Sequence, residues 1–173
     1  MGLYRQTLHR VPYLRGVLSK KAKYAINALV YIARQEAQDD ATPIPAGVIA
    51  EAQNIPSKFL EAILLDLRHA GILLSRKGKN GGYKLQKPPE DIHMADVMRL
   101  FDGAIALLPC VTYKFYERCE ECTDEETCGI REVFMEIRNE TVRKLKASTL
   151  AAIMKREDQL SRTTGKPPSS NGA

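Results

Sequence analysis

Residues 45–85 read PAGVIAEAQNIPSKFLEAILLDLRHAGILLSRKGKNGGYKL. Val48, Ile49 and Ala52 form the apolar side of a short helix over about 45–53, which Asn54-Ile55-Pro56 interrupts. Ser57 offers a weaker N-cap for a second helix that carries Phe59, Leu60, Ile63, Leu64 and Leu67 and stops at Gly71. Two short helices split by a tight turn, the second ending at a glycine, form a helix-turn-helix pattern. Ile72 to Lys77 and Tyr83 to Leu85 then read as strands around a glycine-rich turn at 78–82, a hairpin. A hairpin directly after a helix-turn-helix is a wing.

Outward from this segment, Ser19 is a candidate N-cap for a helix to about Glu36, with Tyr24, Ala25, Ala28, Leu29 and Ile32 on one face. A turn-rich linker covers 39–45, Pro88-Pro89 closes the module, and Asp91 to Phe101 reads as a further helix. Ile130, Val133, Phe134, Ile137, Thr141, Leu145 and Thr149 recur every three or four residues. They predict one helix over 130–155, roughly 39 Å long at 1.5 Å per residue. So long a stripe calls for a twin from a second subunit. The expected fold is mainly α: a winged helix-turn-helix domain with a β-hairpin wing and a long C-terminal dimerisation helix. Its parts are a basic arm (1–18), the winged domain (19–90), a helix with a cysteine-rich sensor loop (91–128), the dimerisation helix (129–158) and a disordered tail (159–173).

The chain has 173 residues, 44% hydrophobic and 27% charged, with a net charge of +5. It has no apolar run near the length of a membrane span and no secretory h-region, so the expected location is the cytoplasm, where structural disulfides are rare. Residues 1–18 hold three arginines and no acid, and residues 19–90 hold eleven Lys and Arg against seven Asp and Glu. Residues 111–128 reverse this, with two bases against six acids. A basic N-terminal part fits a polyanionic partner. Double-stranded DNA is that partner if the second helix enters the major groove, where base edges differ. Ser57, Lys58, Phe59 and Glu61 then lie nearest the bases. Lys58 can meet a phosphate or guanine, and Glu61 can accept from a cytosine amino group. Arg76, Lys77, Lys79 and Lys84 make the wing basic, suited to phosphates or a minor groove.

All four cysteines, Cys110, Cys119, Cys122 and Cys128, fall within nineteen residues spaced C-x8-C-x2-C-x5-C. Four thiolates match the ligand count of a 2Fe–2S or 4Fe–4S cluster and also of tetrahedral zinc. Structural zinc usually shows paired short knuckles, and only Cys119-Glu120-Glu121-Cys122 is one here. The acidic flanks should raise the thiol pKa values, against a naked low-pKa redox thiol. A cluster-free regulator with zinc or a thiol–disulfide switch, and a small redox enzyme, stand as alternatives. No nucleophile, base or carboxylate pair supports catalysis, and His9, His69 and His93 have no mutual ligand spacing.

Three blocks resemble the IscR/NsrR-type (Rrf-two) family of bacterial winged-helix, iron–sulfur transcriptional regulators. They are the run from Leu18 to Leu29, the block from Phe59 to Gly71, and Gly81-Gly82-Tyr83-Lys84-Leu85. The run Cys128 to Phe134 and Thr149-Leu150 are similar to the same family's linker helix. The resemblance implies a homodimer on a palindromic operator, a cluster-binding loop, and repressor or activator action set by cluster state. Cys110, Cys122 and Cys128 match the family's three cluster cysteines, Glu61 a base-reading glutamate, and Arg76 or Lys77 a groove-probing arginine. Arg131 stands where some members have a histidine ligand and Lys23 where others have an aspartate ligand, leaving Cys119 as the replacement fourth ligand.

Overall fold

The first helix, α1 (Lys20–Glu36), starts where the Ser19 hydroxyl accepts a hydrogen bond from the Ala22 N–H at 3.0 Å. In the computed structural model, which describes residues 18–38, 42–78 and 80–168, α1 is the central support. Its apolar face, Ala25, Ala28, Leu29 and Ile32, is fully buried against α2 (Ala46–Ala52), α3 (Ser57–His69) and the elements that follow. Leu60, Ile63, Leu64 and Leu67 of α3 complete that core at a spacing of three and four residues. The basic arm expected at 1–18 lies, except for Leu18, outside the described residues.

The turn between α2 and α3 holds Asn54 at φ +49°, a left-handed conformation that asparagine tolerates better than most residues. Ser57 is not the N-cap of α3 but its first residue. Pro56 takes the cap position at φ −55°, and its carbonyl accepts from the Phe59 and Leu60 N–H groups. The ring-fixed φ of proline sets the entry angle and starts the helix one residue earlier than a serine cap would.

Strands β1 (Leu73–Arg76) and β2 (Gly82–Leu85) pair antiparallel, with Leu73 opposite Leu85 and Arg76 opposite Gly82. Ile44 adds an isolated antiparallel bridge to β2 by exchanging backbone hydrogen bonds of 3.0 and 2.8 Å with Tyr83. Gly82 permits this approach, because a Cβ there would fall 2.4 Å from the Ile44 carbonyl. The base of the wing is tied to α1, where the Leu85 N–H donates to the Glu36 carboxylate at 2.7 Å.

The C-terminal half departs from the sequence reading. The helix expected over 91–101 is a 3-10 turn at Pro89–Asp91 followed by α4 (Met94–Asp102). The single helix expected over 130–155 is two: α5 (Gly129–Ala147) and α6 (Leu150–Thr164). The break is imposed from outside the helix. The Met94 N–H donates to the Ser148 carbonyl and the Leu150 N–H to the Ile92 carbonyl, both at 2.9 Å, so His93 and Thr149 form an isolated antiparallel bridge. Those bonds need extended backbone at Ser148 (φ −89°, ψ 94°), which the helical ladder cannot supply. Thr149 restarts the helix by accepting from the Ala152 N–H at 3.1 Å.

Helix α6 then folds back on α1 instead of continuing outward. Arg34 meets Glu157 at 3.2 Å and Asp158 at 2.8 Å, and Leu150 is fully buried. The expected disordered tail from 159 is therefore helical to Thr164 and closes on Gly165 in the left-handed conformation (φ 67°). Leu150 anchors this return. Leu150→Ala should cost about 2–5 kcal/mol of stability, read as a lowered urea midpoint at unchanged slope; a loss below about 1 kcal/mol would contradict the anchoring.

Candidate functional site

The face of α3 opposite its buried leucines presents Ser57, Lys58, Phe59 and Glu61, all exposed. Phe59 is 41% exposed, and its ring is held edge-on to Tyr24 of α1, with centroids 5.8 Å apart and planes at 84°. That contact fixes the first turn of α3 against the start of α1. Lower on α3, Asp66 is paired with Lys21 at 2.7 Å, which adds a second tie between the two helices.

Arg76 ends β1 and Lys77 follows it, both exposed, while Lys84 is half-buried on β2. Lys79 lies outside the described residues. The sequence reading missed two exposed cations, Lys20 and Lys23, which α1 carries beside Tyr24 and hence near the start of α3. Their signal was present in the basic run Lys20-Lys21-Ala22-Lys23, but only the fold brings it to the reading helix. The surface formed by α3, the wing and the α1 N-terminus thus gathers cations around a helix start, the layout that favours a phosphate backbone.

The cysteines come from three local structures. Cys110 sits, buried, in the 3-10 turn Pro109–Val111. Cys119 and Cys122 share a turn closed by the Cys122 N–H donating to the Cys119 carbonyl at 3.3 Å. Cys128 is the N-cap of α5, and its Sγ accepts from the Arg131 N–H at 3.5 Å. All four line one cavity of about 160 Å³, with Leu108 and Ile130 as apolar wall and Glu121, Glu125 and Arg131 completing it. A small apolar cluster, Ala106, Cys110 and Val111 packed by Leu108, Phe134 and Met135, supports it apart from the main core.

Burial pushes the Cys110 thiol up, with neighbouring Cys119 adding to the shift. Cys122 is raised by burial first and then by its hydrogen bond with Cys128. The acidic flanks invoked from sequence contribute only through Glu125, the weakest of the named causes at both thiols. Arg131 stands 3.9 Å from Glu125 and opposes the rise at Cys110, so the residue in the expected histidine position acts as a counter-charge.

Among the described residues no three His, Cys, Asp or Glu side chains converge to hold a single metal ion. The four thiols lining one void offer the all-sulfur donor set that iron–sulfur clusters use. The residues therefore fit a cluster.

Paired helices with a hairpin wing define a winged-helix DNA-binding protein, and that is the class of this chain. It belongs to the Rrf2 family, whose model, described as "Iron-dependent Transcriptional regulator", matches residues 18–156. An rrf2-like HTH-type transcriptional regulator of Rhodobacter capsulatus is 41% identical over 121 residues, which are 70% of this chain and 81% of that one. The HTH-type transcriptional regulator IscR of Aliivibrio salmonicida is 33% identical over 93 residues, 54% of each chain. Among solved structures, CymR, the global cysteine regulator of Bacillus subtilis, superposes with a TM-score of 0.66 at 26% identity, over 81% of this chain and 97% of that one. Family membership makes the chain a transcriptional regulator and not an enzyme. No helix among the described residues is long and apolar enough to cross a membrane.

The thiol environment sets a reactivity order. In metal-free, reduced protein, Cys110 should alkylate slowest of the four at neutral pH. Its raised pKa keeps it as the unreactive thiol until the pH passes the ordinary thiol range, and burial limits access. Peptide mass spectrometry after timed iodoacetamide treatment measures this; Cys110 reacting as fast as Cys119 would contradict it.

Proposed function

We propose that this Rrf2-family regulator reads double-stranded DNA through α3 and the wing, and senses iron, redox state or nitric oxide through an iron–sulfur cluster held by Cys110, Cys119, Cys122 and Cys128. The observation that carries the reading is the convergence of four cysteines, from a 3-10 turn, a loop and a helix cap, on one void. A family described as iron-dependent, and a relative named IscR, support it. When bound, a 2Fe–2S or 4Fe–4S cluster supplies chemistry that responds to oxidants and iron supply. The chain's own residues do the rest. Cys128 ties the site to the first turn of α5, Arg131 offsets the thiolate charge, and the half-buried Leu108 restricts water.

On DNA, Lys58 and Glu61 address base edges or adjacent phosphates, Ser57 and Phe59 set the approach of α3, and Arg76, Lys77 and Lys79 grip the backbone or minor groove. The chain acts as a homodimer in the cytoplasm. Ile130, Val133 and Ile137 of α5 are 66%, 53% and 43% exposed, an apolar stripe that a twin helix would cover. Two α3 helices about one DNA turn apart, roughly 34 Å, then require a palindromic operator.

Two experiments test this. Protein purified without oxygen should absorb near 400 nm and carry iron and sulfide together. Alanine at Cys110, Cys122 or Cys128 should remove the colour, and Cys119→Ala should remove or markedly destabilise it; colourless wild-type protein holding zinc would sink the cluster reading. For DNA, Glu61→Ala should narrow discrimination between operator variants by about 1–3 kcal/mol per base pair. Lys77→Ala should instead weaken all sequences alike and flatten the salt dependence by roughly one unit of slope. Unchanged discrimination in Glu61→Ala would displace α3 from the major groove.

A further inference from the structure

A second cavity, apart from the cysteine void, lies between the C-terminal end of α4, the segment 103–115 and the middle of α5, and encloses about 310 Å³. Its wall carries three cations, Arg99, Lys114 and Arg138, and no Asp or Glu. Arg99 is half exposed and has Asp96 at 3.4 Å. Arg138 is different. It is the one charged side chain buried among the described residues, 6% exposed, and no carboxylate pairs with it there. Its guanidinium lies over the Tyr113 ring at 4.1 Å, and one terminal nitrogen donates to the Asn139 Oδ1 at 2.6 Å. Its Nε–H is buried with no partner, and so is the Thr112 hydroxyl on the same wall.

A buried cation with no carboxylate and an orphaned hydroxyl in the wall of one cavity are costly. Buried polar groups are retained where something satisfies them. The rest of the lining is largely alkyl and aromatic, and the volume is at the small end of ligand pockets, about 300–1,000 Å³. From this we infer that the cavity is a binding site for a small organic monocarboxylate with a branched aliphatic or aromatic body. The carboxylate would take the free Nε–H of Arg138 and the Thr112 hydroxyl, and the body would lie against the apolar wall. A single carboxylate matches Arg138, the one buried guanidinium of the wall, in charge and in its planar fork of donors, while Arg99 is paired with Asp96 and Lys114 is exposed to solvent. The wall includes residues on both sides of Cys110, so such a ligand would bear on the cysteine loop at its root. The inference does not rest on a cluster being bound.

Thermal unfolding of the full chain with a series of branched and aromatic monocarboxylates, phenylacetate and 4-methyl-2-oxopentanoate among them, tests the site. Each acid is paired with its neutral amide. At least one acid should raise the melting temperature by about 2–4 °C or more at concentrations well above its dissociation constant, and its amide should not. Arg138→Met should lose the shift, and Val142→Phe, which fills the cavity while keeping the cation, should lose it too. The inference is overturned if no acid exceeds its amide, or if the shift survives either substitution.

Discussion

Three residues on each side of one backbone bridge, closed by two hydrogen bonds, decide the shape of this regulator. Ile92 to Met94 and Ser148 to Leu150 exchange hydrogen bonds at a point where the amphipathic pattern would carry a helix straight through. Because backbone donors and acceptors at α4 must be satisfied, the C-terminal helix is cut, and the two pieces take different tasks. Helix α6 returns to α1, where Arg34 holds Glu157 and Asp158. Helix α5 keeps its outward apolar stripe and carries the cysteine loop at its start. Without the bridge, α5 and α6 would form one rod with no fixed angle to the DNA-reading domain.

The consequence is a short mechanical path. The α3 helix rests on α1 through Tyr24–Phe59 and Lys21–Asp66, α1 packs on α4, and α4 packs on α5. Cys128 caps α5, so a change in what the thiols hold acts first on the helix that the bridge pins to α4. The cysteine site has its own small core, separate from the main one.

Much of this was legible in the chain. The winged helix-turn-helix followed from local signals that the core obeys: the Ser19 cap, helical spacing over Leu60 to Leu67, the stop at Gly71, and the glycines of the wing. The four cysteines that the spacing singled out line one cavity. What escaped was whatever depends on partners distant in sequence. The amphipathic pattern runs straight through Ser148, and the Thr149 cap alone does not stop it; the break is imposed by Met94 and Ile92, as Ile44 joins the sheet because Gly82 leaves room. Thiol acidity was attributed to neighbouring acids in the sequence, whereas burial dominates once Cys110 is folded into its satellite core. Nothing in the sequence sets Arg138 apart from the other charges of its helix, yet it is buried, with its guanidinium over the Tyr113 ring.

If the cysteine site governs DNA binding through the α5–α4–α1 path, operator affinity must depend on what the thiols hold. One anaerobic preparation, measured at fixed salt before and after a chelator removes its metal under reducing conditions, should change its dissociation constant at least tenfold, with the winged domain still folded by circular dichroism. Equal affinity in the two states, from protein verified to have lost its iron, would contradict it.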